Sequence, residues 1–232
     1  MIQLIRNTQH HRSAHSWLTS FHHFSFDQYY DPTNMNWGKL RVFNEDFNSP
    51  ASGFPIHPHH DMEIVTYVLS GELKHEDSLG NSGIIHAWEI QYMSAGTGVL
   101  HAEFNASKTH PLHLIQMWVL PEKEGLTPSW GQQTVSREEK MNRLLCVVSK
   151  KKSDAIMRIH QDASFHVSIL MKGKKIEWKP EYSHQYLFVI DGSIRVNCAT
   201  INKHDSAKIM EEKQLTIEGL ENAHFVLWDM AE

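Results

Sequence analysis

The amino-acid sequence predicts an all-β protein, a barrel or a sandwich, whose two halves copy one plan. Short apolar and β-branched runs recur along the chain, turn residues separate them, and helical signals are scarce. The runs fall at 40–43, 63–69, 71–75, 112–120, 144–148, 165–171, 186–190, 193–197 and 225–228. Ser70-Gly71, Leu79-Gly80-Asn81, Asp191-Gly192 and Gly219 supply turns between them. Ser136 with Glu139 three residues on is a capping-box pattern and predicts one short helix through about Arg143. Residues 67–73 match 187–194 as an apolar strand, a glycine turn and a returning strand, and 112–119 resembles 224–230, each with a tryptophan (Trp118, Trp228). The halves are therefore expected at 1–125 and 126–232, joined across 121–140.

Composition narrows the class of partner. A hydrophobic share of 41% with 21% charged residues is that of a folded globular chain, neither a disordered one nor a membrane protein. The formal net charge is −5, and the densest basic run, Lys150 to Lys152, lies in a loop-like stretch, so a nucleic-acid partner is not expected. The two cysteines, Cys146 and Cys198, lie among β-formers without CxxC spacing and are expected as buried reduced thiols. Residues 1–12 have no apolar core of a leader, and no stretch is long and apolar enough to span a bilayer; the expected compartment is the cytoplasm, with no membrane partner.

Among 18 histidines, spacing singles out a few. His10, His11, His15, His22 and His23 show no patterned spacing and read as surface or packing residues. His57 and His59 are two apart, as are His101 and Glu103. In an extended chain each pair points to one face, so two neighbouring strands bring four ligands together. An HxH pair alone arises by chance in so histidine-rich a chain; the second pair gives the first its meaning. Imidazole with carboxylate suits Fe, Mn, Ni, Cu or Zn, and four ligands of an octahedral ion leave two adjacent positions open for substrate and dioxygen. His60 has the opposite parity. Glu63 reads as a fifth ligand, a solvated residue or, preferably, an acceptor for an imidazole's outer nitrogen. His86, His110 and His113 read as structural, while for Gln91, Asn105 and Gln116 orienting hydrogen bonds and ordinary packing weigh equally.

These segments resemble the two cupin motifs, and more specifically the pirin family of bicupins. The likeness is carried by residues 53–68 (GFPIHPHHDMEIVTYV), 75–81 (HEDSLGN) and 91–98 (QYMSAGTG), and extended by Phe24-Ser25-Phe26, Tyr29-Tyr30-Asp31-Pro32, Leu40-Arg41-Val42 and Asn44-Glu45-Asp46; it spans roughly residues 17 to 121. The resemblance implies two antiparallel β-barrels of jelly-roll type packed together, the first holding one divalent ion on His57, His59, His101 and Glu103. Iron(II) is the expected ion, with Mn, Ni, Cu, Co and Zn as alternatives. The chain departs from the family in reading His101-Ala102-Glu103 where a serine is usual, and from cupins generally in Gly96 before the second-motif turn. Superposing Gly192 on Gly71 places Trp178 and Pro180 at the positions of His57 and His59, and His184 at that of Glu63, so the second barrel is expected to lack ligands.

The resemblance further implies a quercetin 2,3-dioxygenase-like oxidoreductase, acting on a flavonol or related aromatic enol with dioxygen and releasing carbon monoxide. Glu103 would double as the base for the substrate hydroxyl, and Phe54, Met35 and Trp37 are candidates for pocket walls. The alternative is a non-enzymatic, redox-sensing metal protein with a protein partner; a structural zinc site is disfavoured because closed sites usually recruit cysteine.

Overall fold

A computed structural model describes residues 1–150 and 155–232, so the basic run at Lys150 to Lys152 lies partly outside the described residues. The chain forms two compact units: an N-terminal unit of residues 11–36 and 40–134, and a C-terminal unit of residues 1–10, 37–39 and 135–232.

In the N-terminal unit seven strands lie side by side in the order β12 (Ser129–Thr134), β9 (Glu89–Ser94), β6 (Glu63–Ser70), β11 (Leu112–Val119), β4 (Leu40–Asn48), β3 (Leu18–His22) and β2 (His11–Ala14). A second sheet runs β5 (Gly53–His59), β10 (Val99–Asn105), β7 (Glu72–Asp77), β8 (Ser82–His86). The C-terminal unit repeats both sheets. Its seven strands are β1 (Ile2–Ile5), β20 (Ser206–Met210), β17 (His184–Asp191), β22 (Ala223–Met230), β15 (Ala163–Leu170), β13 (Leu145–Ser149) and β14 (Met157–Arg158); its four are β16 (Lys175–Trp178), β21 (Leu215–Gly219), β18 (Ser193–Val196) and β19 (Ala199–Asn202). Each unit is therefore a jelly-roll-like pair of sheets rather than a closed barrel, and the fold is that of a bicupin.

The expected division between 125 and 126 does not coincide with these units. β12 bonds to β9 and stays with the N-terminal unit, whereas the first strand of the chain bonds to β20 of the C-terminal unit. Edge pairing, which covers open backbone groups, thus takes one strand from each side of the expected boundary.

The two glycine turns of the repeat are equivalent. Gly71 (φ +84°) and Gly192 (φ +74°) sit between β6–β7 and β17–β18, and a Cβ on either would strike backbone of the neighbouring loop. The two tryptophans are not equivalent. Trp118 pairs with Ile64 on β6, whose inner residues include Thr66 and Val68; Trp228 pairs with Tyr186, on the other face from Gln185 and Leu187.

The predicted helix does not form. Ser136 and Glu139 make the reciprocal capping bonds, but Met141 bridges to Ile169 and Asn142 turns to φ +53°, which draws the chain into sheet pairing after one turn. Among the described residues the helical content is a 3-10 turn at Asn7–Gln9. Both cysteines are free, yet Cys198 is exposed and Cys146 half-buried, against the expectation of burial. Cys198 follows Asn197 in the two-residue turn between β18 and β19, where the side chain faces solvent. No helix is long and apolar enough to cross a membrane among the described residues.

Candidate metal centre

The centre forms where β5 and β10 pair, with His101 opposite His57 and Val99 opposite His59. A ligating atom from each of His57, His59 and His101 lies within 4.8 Å of the others, and so do atoms of His75, His101 and Glu103. Three of the sequence-predicted ligands, His57, His59 and His101, thus converge, and the fourth, Glu103, groups with His101 and with His75.

Strand register explains the chemistry of the middle layer. One cross-strand row of the seven-stranded sheet reads Gln132, Gln91, Thr66, Gln116, Asn44, His22. Apolar residues lie on either side of it along the strands, Ile64 and Met93 toward one end and Val68, Leu112 and Leu114 toward the other. From this row Gln91 and Gln116 reach Glu103, donating from Nε2 to Oε1 at 2.7 Å and to Oε2 at 2.8 Å. The indoles of Trp130 and Trp118 donate in turn to the Gln91 and Gln116 carbonyl oxygens at 3.0 and 3.1 Å. An indole N–H can only donate, so neither amide can flip, and both must present N–H to the carboxylate.

Hydrogen bonds likewise orient His57 and His101. His57 Nδ1 lies 2.8 Å from the Pro55 carbonyl, which makes it the protonated nitrogen and leaves Nε2 with a free lone pair. His101 Nδ1 faces His75 Nδ1 at 3.5 Å, and His75 Nε2 faces Asp77 Oδ2 at 3.3 Å. Trp130 stacks on His75 with ring centroids 5.1 Å apart. The Nε2 of His101 is buried and has no hydrogen-bond partner among the described residues. A buried polar atom left so is costly unless a ligand takes its lone pair, and a divalent ion fits that role.

Protonation states suit an ion as well. Burial, reinforced by His101 and His57 and opposed by Glu103, lowers His59 to about 4. Burial also lowers His101 to about 4, against Glu103 and together with His57 and His75. Both imidazoles are neutral at pH 7, the ligating form. Burial pushes Glu103 up, but neighbouring His101 and the amide bonds from Gln91 and Gln116 outweigh it and hold the carboxyl below its ordinary range. Because His101 is neutral above about pH 4, the amide bonds are the lasting part of that effect.

Other expected residues lie elsewhere. Glu63 is fully buried and accepts from Tyr92 Oη and Ser94 Oγ, each at 2.6 Å, on the face of β6 opposite Thr66, so it does not serve an imidazole of the centre. Asp61 (φ +45°) turns the chain between β5 and β6. Asn105 donates to the carbonyls of Ser49 and His110 and accepts from Ser107, which anchors a loop. His60 pairs with Asp61, His86 with Glu72 and His113 with Glu45, while His110 meets Thr109. Phe54 lines the cavity over the centre, a space of about 440 Å³; Met35 and Trp37 do not. Trp37 donates to the Gln185 carbonyl in the C-terminal unit. His22, expected as a surface or packing residue, is buried at the cavity wall with Asn44 and Asp46. The sequence signal for His75 was present, since it stands four residues past the Gly71 turn with the parity of Leu73.

The C-terminal unit carries other residues at each of these places. By register Leu215 and Ile217 stand where His101 and Glu103 do, Trp178 where His57 does and Val196 where His75 does.

Comparison with known proteins gives the family. A family model described as Pirin matches residues 5–119, and one described as Quercetinase C-terminal cupin domain matches residues 146–230. The chain is similar to a putative quercetin 2,3-dioxygenase of Zymomonas mobilis (42% identical, 92% of this chain and 91% of that protein) and to a pirin-like protein of Caulobacter vibrioides (41%, 94% of each). It is also similar to a quercetin 2,3-dioxygenase of Escherichia coli (36%, 99% of each). The crystal structure of the bacterial pirin YhhW in complex with nickel(II), from Escherichia coli, superposes with a TM-score of 0.94 at 35% identity over 99% of both chains.

Proposed function

We propose, for a chain that belongs to the pirin family, a dioxygenase that opens the ring of quercetin or a related aromatic enol on one divalent ion held by His57, His59, His101 and Glu103. The observation that carries it is the Nε2 of His101, buried beside His57 and His59 and without a hydrogen-bond partner among the described residues. When bound, the ion supplies Lewis acidity and a template for substrate and dioxygen; iron(II) is the ion we expect, and nickel is the ion named for the relative's structure.

The protein's own groups do the rest. Gln91 and Gln116 fix both carboxylate oxygens of Glu103. That carboxyl stays ionised through neutral pH and accepts the proton of a substrate hydroxyl within its reach. Trp118 closes the cavity edge-on against His59, with ring centroids 4.8 Å apart, and restricts water on that side. The quercetin 2,3-dioxygenase names of relatives support the reading.

Elemental analysis of protein purified without added metal, paired with oxygen uptake on quercetin, tests it. One ion per chain and uptake that Glu103→Ala abolishes are expected. An ion that stays bound while no oxygen is consumed overturns the enzyme reading in favour of a non-enzymatic metal protein.

A further inference from the structure

The cavity over the centre has a second polar pole that the ligands do not use. Asp46 on β4 and Ser20 on β3 are cross-strand partners, and Asn44 and His22 form the next such pair. Asn44 is opposite Gln116, which touches Glu103, so this strip continues the ligand layer across the sheet. Strand spacing of about 4.8 Å places β4 one step and β3 two steps beyond β11.

Within the strip Asp46 keeps open bonding capacity, as does the amide nitrogen of Asn44. His22 is spoken for at both nitrogens, Nδ1 at 3.0 Å from the Asn44 carbonyl oxygen and Nε2 at 2.8 Å from the Ser13 hydroxyl. Asp46 takes the Ser20 hydroxyl on Oδ1 at 2.5 Å, and no protein donor among the described residues reaches Oδ2. The side chain is 5% exposed, faces the cavity and has no cation beside it. Burial, opposed by Ser20 and reinforced by Glu103 and Glu45, raises the carboxyl to about 7, so near neutrality it both donates and accepts. A buried polar group with an unmet bond in a concave site recognises a polar atom of a ligand. The walls between the two poles are aromatic. Trp17 meets Phe54 edge-on at 5.0 Å and Phe26 meets Trp118 edge-on at 5.2 Å, a lining that suits a flat ring system.

We propose that Asp46 is the specificity-determining residue of this cavity, binding a hydroxyl of a planar polyhydroxylated aromatic compound at the end remote from the oxygens that meet the ion. This rests on the dioxygenase reading of the same site. Ser20 holds the carboxyl in place, and Asp46 thereby selects among compounds that share the metal-binding edge.

Equilibrium binding to the nickel-loaded protein without oxygen, with quercetin and with 3-hydroxyflavone as probes, tests the assignment. The second probe keeps the metal-binding edge and lacks the other hydroxyls. Wild-type protein is expected to prefer quercetin by about tenfold, the scale of one hydrogen bond to a buried carboxyl. Asp46→Ala should bring the two affinities together by weakening quercetin alone, and Asp46→Asn should restore part of the preference. Nickel content of one per chain controls for folding; should Asp46→Ala lose its ion, Ser20→Ala gives the same readout, with a smaller loss of preference expected. A preference that survives in these variants, an equal loss for both probes, or a wild type that binds both alike overturns the role of Asp46 and leaves the dioxygenase reading standing. Failure of wild-type protein to bind either probe overturns both.

Discussion

The N-terminal and C-terminal units share a strand order and differ in one layer. In the first, the row through the middle of the large sheet reads Gln91, Thr66, Gln116, Asn44, His22; in the second, the matching row reads Ala207, Leu187, Leu227, His166, Cys146. Leu215 and Ile217 face that row where His101 and Glu103 face the other. Filled with leucine and isoleucine, the layer joins one continuous core that includes Leu187, Leu227, Phe225 and Ile194. Filled with amides and ligands, it separates two smaller apolar clusters. The strand plan therefore does not depend on the ligands. What the ligands require is mutual satisfaction, because each buried polar group costs free energy unless paired, and the Trp–Gln–Glu chain supplies it.

Breaking the apolar layer should have the largest effect on stability. Phe225→Ala removes a fully buried ring from the C-terminal core and is expected to cost about 3–5 kcal/mol. Chemical denaturation followed by elemental analysis checks it: stability falls while the folded fraction keeps one ion per chain. Loss of the ion in that folded fraction would mean that the units do not divide the work as described.

Copying the C-terminal row into the N-terminal one sharpens the comparison from the other side. Gln116→Leu imports the residue found at 227 and leaves one Glu103 oxygen and the Trp118 indole without their partner. Metal affinity is expected to fall about 10- to 100-fold, as for other residues that orient ligands. Chelator competition at pH 7 measures it. An unchanged affinity would show that Glu103 needs no orienting amide.

Much of this was legible in the sequence, and the rest was hidden for physical reasons. The strands at 63–69, 112–120 and 186–190 were visible because they are buried on both faces and read as apolar runs. β9 was not, since Gln91 puts a polar residue on an inward position and erases the usual alternation, and β10 showed only through its His101/Glu103 pair. The pairs His57/His59 and His101/Glu103 were visible because period two survives along a continuous strand. It does not carry across a turn such as that at Asp61, so spacing could not place Glu63. Gln91, Gln116, Asn44, His22 and Asp46 come from different strands, so only register unites them. The edge exchange of β1 and β12 is likewise a pairing fact, and no local pattern signals it.

The smallest effect concerns the one imidazole in the apolar row. Burial, opposed by a hydrogen bond with the Leu227 backbone, lowers His166 to about 4, and its Nδ1 has no partner among the described residues. The unfolded chain takes up that proton near the ordinary value of 6.5, the folded one only near 4. Unfolding therefore binds a proton in between. The contribution is complete above about pH 6.5 and is lost as pH falls toward about 4, by at most about 1.4 kcal/mol per unit. Asp229, raised by burial to about 6 despite its bond from Gln185, has the opposite sign, since its folded form holds a proton that the unfolded form releases. Comparison with His166→Leu isolates the imidazole from that background. Amide hydrogen exchange in β15 and β22 should show wild type losing protection between pH 7 and 5 by about 2 kcal/mol more than the variant. Parallel losses would mean that His166 is hydrated or paired in solution, and that the layer is less dry than its leucines imply.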